Sequence, residues 1–172
     1  MNDSAVASTP FQFVTHWPNG TPKDGMAVLE FWRREKALVD EVQAQERLRE
    51  VVLHATDANG EVAAVCTAVT ITLPRLAQPM YYYRCFVGRG WRKTRLVFTL
   101  LARAFDALEA HARMHAYPCI GVLLELENER FGKSLRAPVW PGIGFVYAGR
   151  SARGLELRVR YFRGARLKQP AS

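Results

Sequence analysis

The stretch VGRGWRKTRLVFTLL, Val87 to Leu101, joins the end of an aromatic run to the start of an apolar helix through two glycines and four cations. Behind it, MYYYRCFVG is aromatic and β-branched and reads as a strand ended by Gly88 and Gly90. Ahead of it, Val97, Leu101, Ala104, Phe105, Leu108 and Ala112 recur at three- and four-residue intervals, which predicts a long helix from about Thr94 to Arg113 with one apolar face. A strand that turns through glycines into a helix start offers backbone N–H groups and the positive end of a helix dipole to an anion. Arg84, Arg89, Arg92, Lys93 and Arg95 crowd this turn with no acid between positions 84 and 95. Such crowding opposes the dipole, and a bound anion would recover the lost stability. The alternative reading is a solvated basic loop.

Working upstream, VVLHATDANGEVAAVCTAVTITLP is β-branched and is broken by Asp57-Ala58-Asn59-Gly60, a turn suited to a hairpin of two antiparallel strands. Before it, MAVLEFWRREKALVDEVQAQERLREVVL places Val28, Phe31, Trp32, Leu38, Val42 and Leu48 at helical spacing among charge pairs, which predicts two short helices. The start, through HWPNGTPKDG, is rich in Pro, Gly and Asn, and residues 1–22 are expected to be a loosely ordered lead-in, 23–168 a single domain, and 169–172 a tail. Downstream, CIGVLLELE suits a strand buried on both faces. FGKSLRAPVWPG is a short helix or loop, and IGFVYAGR and LELRVRYF close the chain as two strands around a Ser151 to Gly154 turn.

The composition limits the partners. With 24 Lys and Arg against 16 Asp and Glu, the formal charge is +8, which favours an anionic partner such as a nucleotide cofactor, nucleic acid, an acidic carrier protein or an anionic membrane. Cys66, Cys85 and Cys119 lie far apart without metal-ligand spacing, which fits a reducing, cytoplasmic compartment. No apolar run approaches the roughly 18 residues of a membrane helix. His111 and His115 stand one helical turn apart but lack a recognisable third ligand, so no metal centre is expected.

The order of helix, helix, hairpin, aromatic strand, glycine turn, long helix, buried strand, short helix and final strand pair resembles the GNAT superfamily of acyl-CoA-dependent N-acyltransferases, over about residues 26 to 162. Asn128, Gly144 and Phe145 match the family's Asn near the end of its fifth strand and the GF that opens its sixth. The family's cofactor signature is Arg or Gln, two variable residues, Gly, one variable residue, then Gly or Ala. Here Arg92, Lys93, Thr94, Arg95, Leu96 and Val97 fill that frame, with the arginine kept and both small residues replaced. The small residues let a pyrophosphate approach the helix-start amides. Arginines could replace that contact with charge, or fill the pocket.

The resemblance implies an α/β (α+β) fold with a mixed, mostly antiparallel sheet splayed between its fourth and fifth strands. It also implies transfer of an acyl group, from acetyl-CoA or another acyl-CoA, to the amine of a small-molecule or protein acceptor. Phe86 and Val87 would pair with the pantetheine arm. Arg92 to Val97 would hold the pyrophosphate, with Asn128 also at the cofactor. Glu125 and Glu127 stand two apart on the fifth strand, so they share a face. Desolvation at the end of an apolar strand would raise a carboxyl pKa toward general-base range, whereas pairing with arginines is the competing reading. The family's acidic tyrosine is missing before the GF, where Trp140 and Phe131 stand, which leaves Tyr147 or the trio Tyr81, Tyr82, Tyr83 as substitutes. In LELRVRYF, alternation puts Glu156, Arg158 and Arg160 on one face and predicts a basic, exposed surface. A scaffold without a cofactor site that binds an acidic protein or RNA, and an acyltransferase served by an acidic carrier protein, are the rival readings.

Overall fold

The computed structural model describes residues 11–17, 20–74, 77–116, 118–127 and 136–167. Among these residues seven strands form one sheet: β1 (Gln12–Thr15), β2 (Val51–Thr56), β3 (Val62–Leu73), β4 (Gln78–Val87), β5 (Gly121–Leu126), β6 (Val146–Arg150) and β7 (Glu156–Tyr161). Their order is β1-β2-β3-β4-β5-β7-β6, and β4 against β5 is the one parallel pair. Three helices flank it: α1 (Pro22–Glu35), α2 (Glu41–Leu48) and α3 (Leu96–Met114). This is the mixed, mostly antiparallel α/β architecture expected from the sequence.

The alternation of each strand divides the core between the faces. Tyr81 and Tyr83 of β4, and Val122 and Leu124 of β5, pack with Leu100, Leu101, Ala104, Phe105 and Leu108 of α3. On the opposite face, Phe86 of β4 packs with Val28, Phe31 and Trp32 of α1 and Ala44 of α2. The apolar stripe predicted for α3 is buried from Leu101 to Ala112. Val97 turns out of that core and lines a cleft instead.

Part of the predicted lead-in is ordered, because local hydrogen bonding organises it. Gln12–Thr15 pairs antiparallel with β2, Val14 opposite His54. Thr21 then caps α1 in a capping box with Asp24, with Pro22 at the first helical position. Asp40 caps α2, its carboxylate accepting from the Gln43 N–H at 2.8 Å. In the hairpin turn, Asp57 Oδ1 accepts from the amides of Asn59 and Glu61. Gly144 holds φ at +67°, which a residue with a Cβ resists, and it delivers Phe145 fully buried against Phe105 and Trp140.

The basic sheet face predicted for β7 is not exposed. Arg158 is 1% exposed: its Nε donates to Glu156 at 2.6 Å, its Nη1 donates to the Ala137 carbonyl, and its guanidinium lies 4.6 Å from the Trp140 ring centre. Arg160 stacks 3.8 Å from the Phe105 ring centre and donates to the Ile143 carbonyl. Alternation did put these residues on one face, but α3 and the segment carrying Trp140 cover it. Arginine can be buried there because rings and carbonyls replace its water.

Candidate active site

Parallel pairing between β4 and β5 covers Tyr81, Tyr82 and Tyr83 against Val122, Leu123 and Leu124, and then stops. Beyond it the strands part, with Arg84 to Val87 on one lip and Glu125 and Leu126 on the other. A cleft of about 840 Å³ passes through this gap. Its two halves differ in chemistry because the strands alternate. On the α3 side the lining is Tyr83, Cys85, Val97, Phe98, Leu101, Leu124 and Trp140, largely apolar; on the α1–α2 side Tyr82, Arg84, Arg92, Glu125, Glu127, Arg153 and Arg47 stand beside apolar Trp32, Leu38, Val65 and Phe86.

The ladder between β3 and β4 determines which backbone groups face the gap. The Gly88 N–H donates to Ala63 O at 2.8 Å, which makes Ala64 and Val87 a non-hydrogen-bonded pair and Val65 and Phe86 a hydrogen-bonded one. The Phe86 amide and carbonyl are therefore taken up by β3, while those of Cys85 and Val87 point into the gap. Phe86 contributes its ring rather than its backbone. The Arg92 guanidinium lies 5.5 Å from that ring's centre, and its Nε donates to the Val87 carbonyl at 3.3 Å. Sequence reasoning chose Phe86 and missed Cys85, since one strand alone does not reveal the ladder's phase.

The glycine turn folds tightly ahead of α3. A Cβ on Gly88 would lie 3.2 Å from Ala63 O, from Glu35 Oε1 and from the Phe31 ring, so the glycine permits close approach there. Trp91 N–H donates to Gly88 O, and Thr94 N–H and hydroxyl both donate to Trp91 O. The Thr94 hydroxyl also accepts from the Leu96 amide at 3.3 Å, capping the helix start. Leu96 enters the core. Arg89, Arg92, Lys93 and Arg95 stay exposed, and among the described residues none of their side chains forms an ion pair, although the Arg89 amide donates to Glu35 Oε2 at 3.1 Å. The cation cluster thus surrounds the first turn of α3, next to the cleft. Asn128 lies outside the described residues, as does Phe131.

Glu125 and Glu127 share a face, as their spacing requires, and both meet Arg153: Nη2 lies 2.6 Å from Glu125 Oε2 and 3.1 Å from Glu127 Oε1. Tyr82 OH donates to Glu125 Oε2 at 2.7 Å. These contacts, Arg153 first, pull the Glu125 carboxyl down to about 2 against the opposing effect of burial. The rise expected for a desolvated strand end is therefore reversed. The competing reading, pairing with an arginine, describes the geometry, and the arginine comes from the turn between β6 and β7. Glu127 is 71% exposed at the mouth.

Tyr147 lies half exposed on β6 and does not line the cleft. The Tyr83 hydroxyl is buried beside the Cys66 and Cys85 thiols; burial first, then those thiols, pushes its pKa well up. Tyr82 is half-buried at the gap, its pKa raised by burial and by Glu125. The Arg84 guanidinium lies 4.7 Å from the Tyr82 ring centre.

A sheet splayed after its fourth strand, with a helix starting at the gap, defines a class: the chain has the GNAT acyltransferase fold. Among solved structures it is similar to a GNAT superfamily phosphinothricin acetyltransferase from Sinorhizobium meliloti in complex with AcCoA, with a TM-score of 0.65, 12% identity and 94% of each chain covered. It is similar also to an acetyltransferase of GNAT family from Streptococcus pneumoniae, with a TM-score of 0.61, 14% identity, and coverage of 89% of this chain and 99% of that one. AtaTR bound with AcCoA gives a TM-score of 0.57 at 13% identity, covering 88% and 92%. No family model matches the sequence, and no curated protein matches it. At such identities the likeness is one of fold.

Proposed function

We propose that the protein is an N-acyltransferase that moves an acyl group, acetyl in the simplest case, from an acyl-CoA to the amine of an acceptor. The observation that supports this reading is the cleft itself: the backbone edge of Cys85 and Val87 that faces the gap leads to a cation cluster at a helix start that, among the described residues, forms no ion pair. An extended amide-bearing arm pairs with the first, and a pyrophosphate suits the second. In this reading Arg92, Lys93 and Arg95 hold the phosphates by charge, Thr94 fixes the helix start through Trp91 and Leu96, and Val97 borders the arm. Two solved neighbours with this fold are complexes with AcCoA, in accord with the proposal. The protein acts as one domain over residues 23–168, in the cytoplasm, where its three free cysteines stay reduced.

The acceptor enters from the charged half. Its nitrogen attacks the thioester carbonyl, the carbon–sulfur bond breaks, and the amine proton leaves through water toward Glu127. Glu125, acidic to about 2, is a poor base near neutrality and serves as a fixed anion. Tyr82, whose hydroxyl reaches the gap, replaces Tyr147 as the candidate proton donor to the thiolate.

Calorimetric titration with acetyl-CoA tests the reading. A charge-assisted contact contributes roughly 1.5–3 kcal/mol, so Arg92→Ala is expected to weaken binding by about 10- to 100-fold. Arg166→Ala, on the exposed tail, should leave it unchanged. Absence of saturable binding by the folded protein to acetyl-CoA, a long-chain acyl-CoA and free coenzyme A would refute the proposal. It would favour instead a scaffold for an acidic carrier protein, another acidic protein or RNA, with Val97 and Arg95 filling the cofactor turn.

A further inference from the structure

Resting on that acyl-transfer reading, we infer that the acceptor is a small free amino acid, a single molecule that carries the amine to be acylated and a carboxylate close to it. The charged half of the cleft has two poles. At one, Glu125, Glu127 and Arg153 sum to one net negative charge, and both carboxylates bind the same guanidinium. At the other stands Arg84, which makes no ion pair among the described residues. Tyr82 separates the poles and fixes their spacing, with its ring under the Arg84 guanidinium and its hydroxyl on Glu125. Arg47 also lines the cleft, but Glu50 neutralises it at 3.1 Å. Arg92 lines the cleft too, but it sits over Phe86 by the start of α3, with its Nε on the Val87 carbonyl. Beside Tyr82, Arg84 is therefore the cation that, among the described residues, has no acidic partner.

Charge complementarity selects against the other acceptor classes. A simple cationic amine would be attracted to the carboxylates yet repelled by Arg84, one tyrosine ring away. A polyanion would meet Arg84 but face Glu125, held ionised throughout the neutral range by Arg153. A zwitterion satisfies both poles, its ammonium toward Glu125 and Glu127 and its carboxylate toward Arg84. Stacking on Tyr82 restricts the guanidinium before the ligand arrives, which reduces the entropy lost on binding. After the ammonium gives up a proton through water toward Glu127, the neutral nitrogen attacks the acyl-CoA carbonyl. Sulfur then leaves as thiolate and takes a proton.

The test measures coenzyme A thiol release, with product mass, for the purified full chain supplied with acetyl-CoA. The acceptors are the common amino acids, and for each its carboxamide and its decarboxylated amine. At least one free amino acid is expected to exceed both of its analogues in kcat/KM by about tenfold or more, the cost of one lost charge-assisted hydrogen bond. Arg84→Gln is expected to raise KM for that amino acid about tenfold, to collapse its advantage over the carboxamide, and to leave the acetyl-CoA Kd within about twofold. Equal or better turnover of the analogues that lack the carboxylate would overturn the inference. So would acetyl-CoA binding without transfer to any amino acid, or a weakened acetyl-CoA Kd in Arg84→Gln with acceptor KM unchanged. In those three outcomes the acyl-transfer reading survives; failure to bind acetyl-CoA at all would remove that reading and this inference together.

Discussion

His16 and His54 give the fold a defined response to acid. His54 Nδ1 and His16 Nε2 lie 2.7 Å apart, and both residues are buried, at 2% and 8% exposure. One of those nitrogens must donate and the other accept, so a doubly protonated pair would set two N–H groups head to head. Burial first, then the neighbouring His16 charge, pulls His54 down to about 4, and burial lowers His16 as well; Asp24, near the start of α1, opposes both. Because the folded pKa is depressed, the stabilisation is present above the unfolded value of 6.5 and is lost as pH falls toward 4. The full His54 shift would correspond to roughly 3 kcal/mol, and partial solvent access with sharing across the pair reduces this to about 1–2 kcal/mol. Urea unfolding across this pH range, for the wild type and His54→Gln, measures it. The glutamine can still bond to His16 but does not titrate, so the fall in midpoint between pH 6.5 and pH 4 should shrink by that amount. Identical pH slopes for the two proteins would refute the reasoning.

Other perturbations test the packing and the cleft separately. Phe145→Ala empties a fully buried site between Phe105 and Trp140 and is expected to cost about 3–5 kcal/mol in denaturant unfolding. A loss below about 1 kcal/mol would show that the site collapses around the gap. Gly144→Ala forces a Cβ onto φ +67° and should cost about 1–2 kcal/mol, read the same way; there is room for the methyl, as the nearest atom is Arg160 Nε at 3.5 Å, so strain alone is measured. In Arg153→Ala, the Glu125 carboxyl should rise from about 2 toward or above its ordinary 4.5, followed by carboxyl carbon NMR; an unmoved titration would mean that Tyr82 and not Arg153 holds it down.

Much of the fold was legible because period and punctuation agree. The α3 stripe, the hairpin at Asp57 to Gly60, the buried β5 and the closing strand pair each combine a clear repeat with turn residues at the right offset. β1 was not legible: four residues flanked by Pro, Asn and Gly carry too little pattern, and pairing with β2 supplies their order. The exposed face expected of β7 failed for a related reason. Alternation shows which residues share a face, but the element that covers it comes from elsewhere in the chain, here Phe105 of α3 and Trp140.

The candidate site has the same limit, with consequences for its chemistry. Spacing placed Glu125 and Glu127 together, and what they can do depends on Arg153, which reaches them from 28 and 26 residues further along the chain. The same partner changes Glu125 from the base its apolar strand suggests into an anion across the neutral range, and among the described residues it leaves Arg84, across Tyr82, without an acidic partner. On the donor side, the two replaced glycines of the turn have different consequences. Arg95 is exposed and adds charge, whereas Val97 stands in the cleft wall, so in the proposed acyl-transfer reading its isopropyl group is where an obstruction of the arm is to be sought. If the cationic turn compensates for that obstruction, Val97→Gly should tighten acetyl-CoA binding while Arg95→Gly weakens it, a divergence that a merely solvated basic loop would not produce.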